Sequence, residues 1–250
     1  MERPADNRTK RQDTLVYAAK GIADAIEQGP AWFGSGMVQL RERVQSLGEE
    51  IANSISHGVG LLAAIAAAVF LIRSAAKVGG DARVVGAGVF ATTMVLVYGA
   101  STLYHAITNP RAKRVFRILD HGAIFLLIAG TYTPFTLGVL RGGMGWTLLA
   151  IIWCLAIVGV VFTAIGDFRH PTLSTVVYLA MGWLFVVGAR SIWTQMAPRG
   201  VLWLVAGGVA YTAGVVFFAA DRIRYGHLVW HLFVIAGTAC HYLAVLRYAS

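Results

Sequence analysis

A few polar residues in an otherwise apolar chain carry the chemistry. His105 closes one long apolar run, Asp120 and His121 open the next, and His227 and His231 open the last. Ionisable groups at such places are costly unless they pair, bind an ion or meet water. His227 and His231 are spaced i, i+4, which puts both imidazoles on one helix face, one turn apart. Two imidazoles so placed can hold one metal ion, as on an HExxH helix. The glutamate of that motif is absent here, so a base must come from elsewhere. A third imidazole from another helix, His105, would leave a fourth position for water, the arrangement of a catalytic zinc site. Zinc lowers the pKa of such a water to about 7. Asp120 is the candidate to orient or deprotonate it, and Ser101, one turn before His105, can hydrogen-bond within the site. Spacing alone leaves a second reading open, in which these histidines simply meet headgroups and water at the membrane boundary.

The elements that must position these groups follow from composition. The chain has 250 residues, 57% of them hydrophobic and 13% charged, against about 25% charged in an ordinary soluble domain. Its mean hydropathy is +0.66. Seven apolar segments, roughly 54–76, 83–105, 119–139, 145–166, 172–190, 201–220 and 228–247, each approach the ~20 residues that a helical span needs. The expected fold is therefore an all-α integral membrane protein, a seven-transmembrane helix bundle over 53–250. Residues 1–52 form a polar segment before it, with possible amphipathic surface helices over 13–27 and 38–47. The first apolar run begins only after His57, too late for a cleaved leader, so span one is expected to stay and act as a signal anchor.

The net charge of +9 reads as orientation rather than nucleic-acid binding, because the basic residues lie in the N-terminal segment and the loops. An inside N-terminus places 14 of the 21 lysines and arginines inside, including Arg111, Lys113, Arg114 and Arg117, or nine against seven when only Arg41 and Arg43 of the N-terminal segment are counted. This predicts N-terminus inside and C-terminus outside, in a plasma (inner) membrane. With seven crossings, the end of span two and the starts of spans three and seven share the side of the N-terminus. His105, Asp120, His227 and His231 then lie at similar depth and can meet inside the bundle.

At these residues the chain resembles the hemolysin III branch of the progestin and adipoQ receptor family, relatives of the adiponectin receptors. The runs SLGEEIANSISHGVGLL, YGASTLYHAI, RILDHGAIFLLIAGTYTPF and HLVWHLFVIAGTACHYLAV carry the resemblance, which covers roughly residues 45–250. It implies seven helices, an inside N-terminus, and a zinc ion held near the cytoplasmic side by His105, His227 and His231. It also implies that Asp120 lies near the zinc-bound water and that Ser101 lies one turn before the first ligand. His121 departs from the adiponectin receptors, which carry tyrosine there. The implied activity is zinc-dependent hydrolysis of a lipid, in the manner of a ceramidase, with links to membrane-lipid homeostasis; the branch name implies cytolysis.

The resemblance extends to the stretch Asn53, Ser54, Ser56 and His57 and includes a glutamate matching Glu49 or Glu50. That stretch is expected mainly to cap the first helix, with an outer role at the site as the other reading. His241 lies about 15 Å along the helix from His231, so it is expected to be hydrogen-bonded in the core or to line a cavity. Asp167 and His170 read as loop residues, His170 as a spare ligand at most. Pro134 is expected to bend span three and open a cavity beside Asp120. Gly182, Gly207 and Gly208 are expected to allow close helix packing, and Trp183, Trp193 and Trp203 to anchor at the interface. Cys154 and Cys240, with no CxxC pattern, read as small core residues.

Two functions compete. One is an intramembrane metal-dependent hydrolase of a lipid amide or ester, with membrane lipids as partners. The other is a non-catalytic membrane sensor, or a pore-forming cytolysin, with a structural zinc. A retinal protein is excluded, because no lysine follows Lys113 to form the Schiff base. An ion pump is poorly supported, since mid-span carboxylates are nearly absent.

Overall fold

A computed structural model describes residues 45–140, 142–165, 171–220 and 223–249, which contain helices and no strands. Seven segments are long and apolar enough to cross a membrane. They are α1 (Leu47–Val78), α2 (Asp81–Ala106), α3 (Pro110–Gly138), α4 (Gly143–Ile165), a broken fifth span, α7 (Pro198–Ala219) and α8 (Gly226–Tyr248). The fifth span, Leu173–Gln195, comprises α5 (Pro171–Trp183), a 3-10 segment (Leu184–Gly188) and α6 (Ala189–Gln195). Large apolar side chains such as Leu62, Phe70, Val158 and Phe162 are exposed around the outside, as befits a surface that faces lipid rather than water.

The seven spans match the expected ones, and their ends differ where the terminal turns are polar. Ser46 caps α1 in a box with Glu49: the Ser46 backbone N–H donates to Glu49 Oε2 (2.9 Å), and the Glu49 N–H donates to Ser46 Oγ (3.4 Å). That box starts the helix at Leu47 and makes residues 47–53 helical. Capping therefore falls to Ser46 and Glu49, not to the Asn53–His57 stretch. At α3, Asn109 Oδ1 accepts from the N–H groups of Arg111 (3.0 Å) and Ala112 (3.2 Å), and Pro110 takes the first helical position. The basic run 111–117 is thus the first part of α3 rather than a loop.

Span five changes to 3-10 geometry in mid-membrane, where unmet backbone groups are expensive. One phenol serves the break. Tyr132 Oη donates toward the carbonyls of Met181 (2.8 Å) and Gly182 (3.0 Å) and accepts from the N–H of Phe185 (2.8 Å). Trp183 lies at this break, half-buried, with its indole N–H donated to Thr212 Oγ1 (3.0 Å). It is an interior residue and not the interfacial anchor expected; Trp193 is exposed and Trp203 half-buried.

α2 and α3 pack backbone to backbone. A Cβ on Gly86 would come within 2.7 Å of Pro134 Cα, and one on Gly130 would overlap Thr93. Gly86→Ala must therefore push the two helices apart. It is expected to cost about 1–3 kcal/mol and to lower the melting temperature in detergent. Gly88→Ala, facing open space on the same helix, should leave it unchanged, and equal melting for both variants would contradict the close packing. Gly207 seats the His241 ring, whereas Gly182 faces no neighbour and allows no close approach. Cys154 is exposed on α4, not in the core, and Cys240 is half-buried. The stretch 13–27, most of 38–47, Asp167 and His170 lie outside the described residues.

Candidate metal centre

The end of α2 and the start of α8 bring three imidazoles together. One ring nitrogen from each of His105, His227 and His231 lies within 4.8 Å of the others. Ring centroids are 5.1 Å apart for His105–His227 and for His105–His231, and 4.7 Å for His227–His231. His105 and His231 are buried and His227 is half-buried. Three nitrogens about 2 Å from one tetrahedral ion stand about 3.3 Å apart, so small side-chain rotations separate these rings from a closed site. His105 Nε2 is buried without a hydrogen-bond partner, which is what a ligating nitrogen needs. The donor set fits zinc, and also copper, iron or nickel.

Partners on α1 hold two of the rings. His105 Nδ1 lies 2.8 Å from Glu50 Oε2, and Lys113 Nζ lies 2.9 Å from Glu50 Oε1. His231 Nδ1 lies 3.0 Å from Ser56 Oγ. His57 stacks on His231, with centroids 3.5 Å apart and planes 10° from parallel, and meets Tyr98 edge-on. Both His57 ring nitrogens are buried without a hydrogen-bond partner. His57 therefore belongs to the site, contrary to the capping role expected of it.

The cluster adjoins a cavity with room for about 120 Å³ of water-sized occupants. Asp120, Ser101, His57, His227 and His231 line it, and His241 lines it too. Asp120 is 8% exposed and Ser101 1% exposed, and the Ser101 hydroxyl stands beside the Asp120 carboxyl. His121 also lines the cavity; its Nδ1 lies 2.9 Å from the Arg117 carbonyl and 4.0 Å from Asp120 Oδ2. Further along, polar tips turn to protein partners. Tyr178 Oη donates to the His121 carbonyl (2.9 Å), Thr131 Oγ1 to the Leu127 carbonyl (2.8 Å), and Tyr211 and Thr238 pair at 2.7 Å. His241 Nε2 meets the Leu204 carbonyl at 3.2 Å, so it is both hydrogen-bonded and cavity-lining. Pro134 lines a different, smaller pocket with Arg83 and Leu71 and does not border the cavity beside Asp120.

Comparison with known families decides the kinship. The model of the family described as "Haemolysin-III related" matches residues 45–242. The chain belongs to this family. It is 44% identical over 210 residues to "Hemolysin-3" of Bacillus cereus, covering 84% of this chain and 96% of the relative. It is 44% identical over 200 residues to "Hemolysin-3 homolog" of Bacillus subtilis (strain 168), covering 80% and 94%. A more distant relative is the human "Monocyte to macrophage differentiation factor", 27% identical over 210 residues, covering 80% and 84%. The match starts at residue 45, so it takes in the first turn of α1.

That first turn is where sequence reasoning was weakest. Once Ser46-x-x-Glu49 is read as a capping box, the helix starts at Leu47. Glu50, Asn53 and His57 then fall at i, i+3 and i+7, on one face. Asn53 on this face is fully buried and donates from Nδ2 to Gln45 Oε1 (2.6 Å). The spacing was available, but a polar stretch read as preceding the span hid it.

Proposed function

We propose that this haemolysin-III-related protein is an intramembrane metal-dependent hydrolase, zinc being the preferred ion, acting on a lipid amide or ester. The observation that carries the reading is that His227 and His231, which group with His105, share the wall of one cavity with Asp120 and Ser101, while the hydroxyls of Tyr178, Thr131 and Tyr211 on that wall are already bonded to protein. Such a wall offers an apolar chain a path past hydroxyls that are already bonded and sets Asp120, Ser101 and the histidines beside the head group. His105, His227 and His231 would hold the ion. When bound, it supplies Lewis-acid polarisation of a carbonyl and activation of water. Asp120 accepts a proton at its carboxylate and returns it to the leaving group. Ser101 Oγ, buried beside Asp120, donates a hydrogen bond to the head group. The excess of lysine and arginine on the side of the N-terminus supports placing this end inside, in a plasma membrane.

The relatives' name, hemolysin, favours a second reading, a cytolytic pore with a structural ion. A monomeric pore would need free polar groups along its length, and the cavity's deeper hydroxyls are used internally. Full-length protein in liposomes containing a long-chain ceramide or a matched ester should release fatty acid, measured by mass spectrometry. A chelator should abolish the release and added zinc restore it. Leakage of a trapped dye without any lipid cleavage would replace the hydrolase with the pore.

A further inference from the structure

We propose that α1, which supplies none of the three imidazoles, positions them, with Glu50 and Ser56 setting the affinity of the metal centre. The inference rests on the metal-site reading above and adds residues to it.

The tautomers follow from hydrogen-bond chemistry. A carboxylate only accepts, so the 2.8 Å contact to Glu50 Oε2 places the proton of His105 on Nδ1. The lone pair is then left on Nε2, the atom that is buried and unpartnered. Ser56 reaches the same result by a different route. Its single hydroxyl proton goes to the Asn53 carbonyl at 2.8 Å. Toward His231 the Ser56 oxygen must therefore accept, so Nδ1 carries the proton and Nε2 the lone pair. Two rings from two helices are thus held in the same ligating tautomer by residues of a third. Fixing the tautomer and orientation in this way is how outer partners raise metal affinity.

The third ring is served through the backbone. Glu49 Oε1 accepts from the N–H of Tyr225 at 2.9 Å. Tyr225 precedes α8 in a left-handed conformation, φ 59°, and fixes where the helix carrying His227 and His231 begins. Lys113 completes the arrangement. Its Nζ bonds Glu50 Oε1 and the Tyr104 carbonyl, at 2.9 and 3.1 Å. One carboxylate therefore ties α1 to α2 and α3. Glu50 and Lys113 side chains are 20% and 28% exposed, so water reaches this link while His105 stays dry.

The test is zinc affinity of the detergent-purified full-length chain, by competition with a chromogenic chelator, with the melting temperature of the metal-free protein measured beside it. Glu50→Gln and Ser56→Ala should each bind zinc about 10–100-fold more weakly. Metal-free melting should be unchanged, and Glu50→Asp, which keeps the charge, should recover part of the loss. Cobalt-loaded Glu50→Gln should show a shifted visible spectrum as His105 loosens. Wild-type affinity in both variants would overturn the proposal. So would a fall in affinity matched by a fall in metal-free stability, which marks a folding effect. If Glu50→Gln does not fold, Ser56→Ala, a one-atom deletion, decides alone. No zinc binding by the wild type would instead overturn the metal-site reading, and the positioning role with it.

Discussion

His227→Ala is expected to strip the protein of tightly bound metal. With His105 and His231 left, the site falls from three protein ligands to two. The loss should exceed the 10–100-fold that removing an outer partner costs, so affinity should drop by at least ~100-fold. The fold should survive, because His227 is only half-buried near the start of α8 and no hydrogen bond depends on its ring among those that hold α1, α2 and α3 together. His227 is the better choice for this test than His231. His57 lies stacked on His231 at 3.5 Å with both nitrogens unpartnered, so His231→Ala leaves a fourth imidazole at hand to take its place. A smaller loss is expected for His231→Ala than for His227→Ala, and a full loss for the His57→Ala, His231→Ala pair. Metal content by mass spectrometry of purified protein is the measurement. About one zinc per chain in the wild type and in His227→Ala alike would contradict the three-histidine centre.

The convergence of these rings was legible for a simple reason. Parity is insensitive to where a helix begins. An error of several residues in a boundary leaves the end of span two and the starts of spans three and seven on one side of the membrane. The capping turn of α1 and the basic start of α3 were less legible, because hydropathy marks only the part of a helix that lies in lipid. Ser46–Glu49 and Asn109–Pro110 are polar signals for helix starts, and they lie outside the apolar windows. The break in span five was hidden altogether. Leu184 to Gly188 is apolar and holds no proline, and what serves the break is Tyr132, a residue on another helix. Placing His57 in the cavity required knowing which way the α1 face points, and that depends on where α1 starts. Trp183 differs from the interfacial expectation for a related reason: closeness to a predicted span end does not fix depth in a helix that is broken at Leu184–Gly188.

Asp120→Asn is expected to separate chemistry from metal binding. The change is nearly isosteric, and Asp120, buried on α3, is not one of the three grouped residues His105, His227 and His231. Metal content and melting temperature should stay close to wild type. An amide cannot accept and return a proton as a carboxylate does, and a positioned general acid–base contributes about 10²–10⁴-fold to rate. Release of fatty acid from the lipid amide should fall by that factor. Ser101→Ala removes only a hydrogen-bond donor next to the same wall, so its loss should be smaller, about 10-fold, in line with the ~1.4 kcal/mol that a tenfold change represents. The order of the two effects carries the assignment. If Asp120→Asn keeps its turnover while Ser101→Ala loses it, the proton-transfer role belongs elsewhere on the cavity wall, where His57 is buried with both ring nitrogens unpartnered. If Asp120→Asn instead loses its metal, the carboxylate is part of the ion's own binding set, and the open position inferred from three histidines is not open.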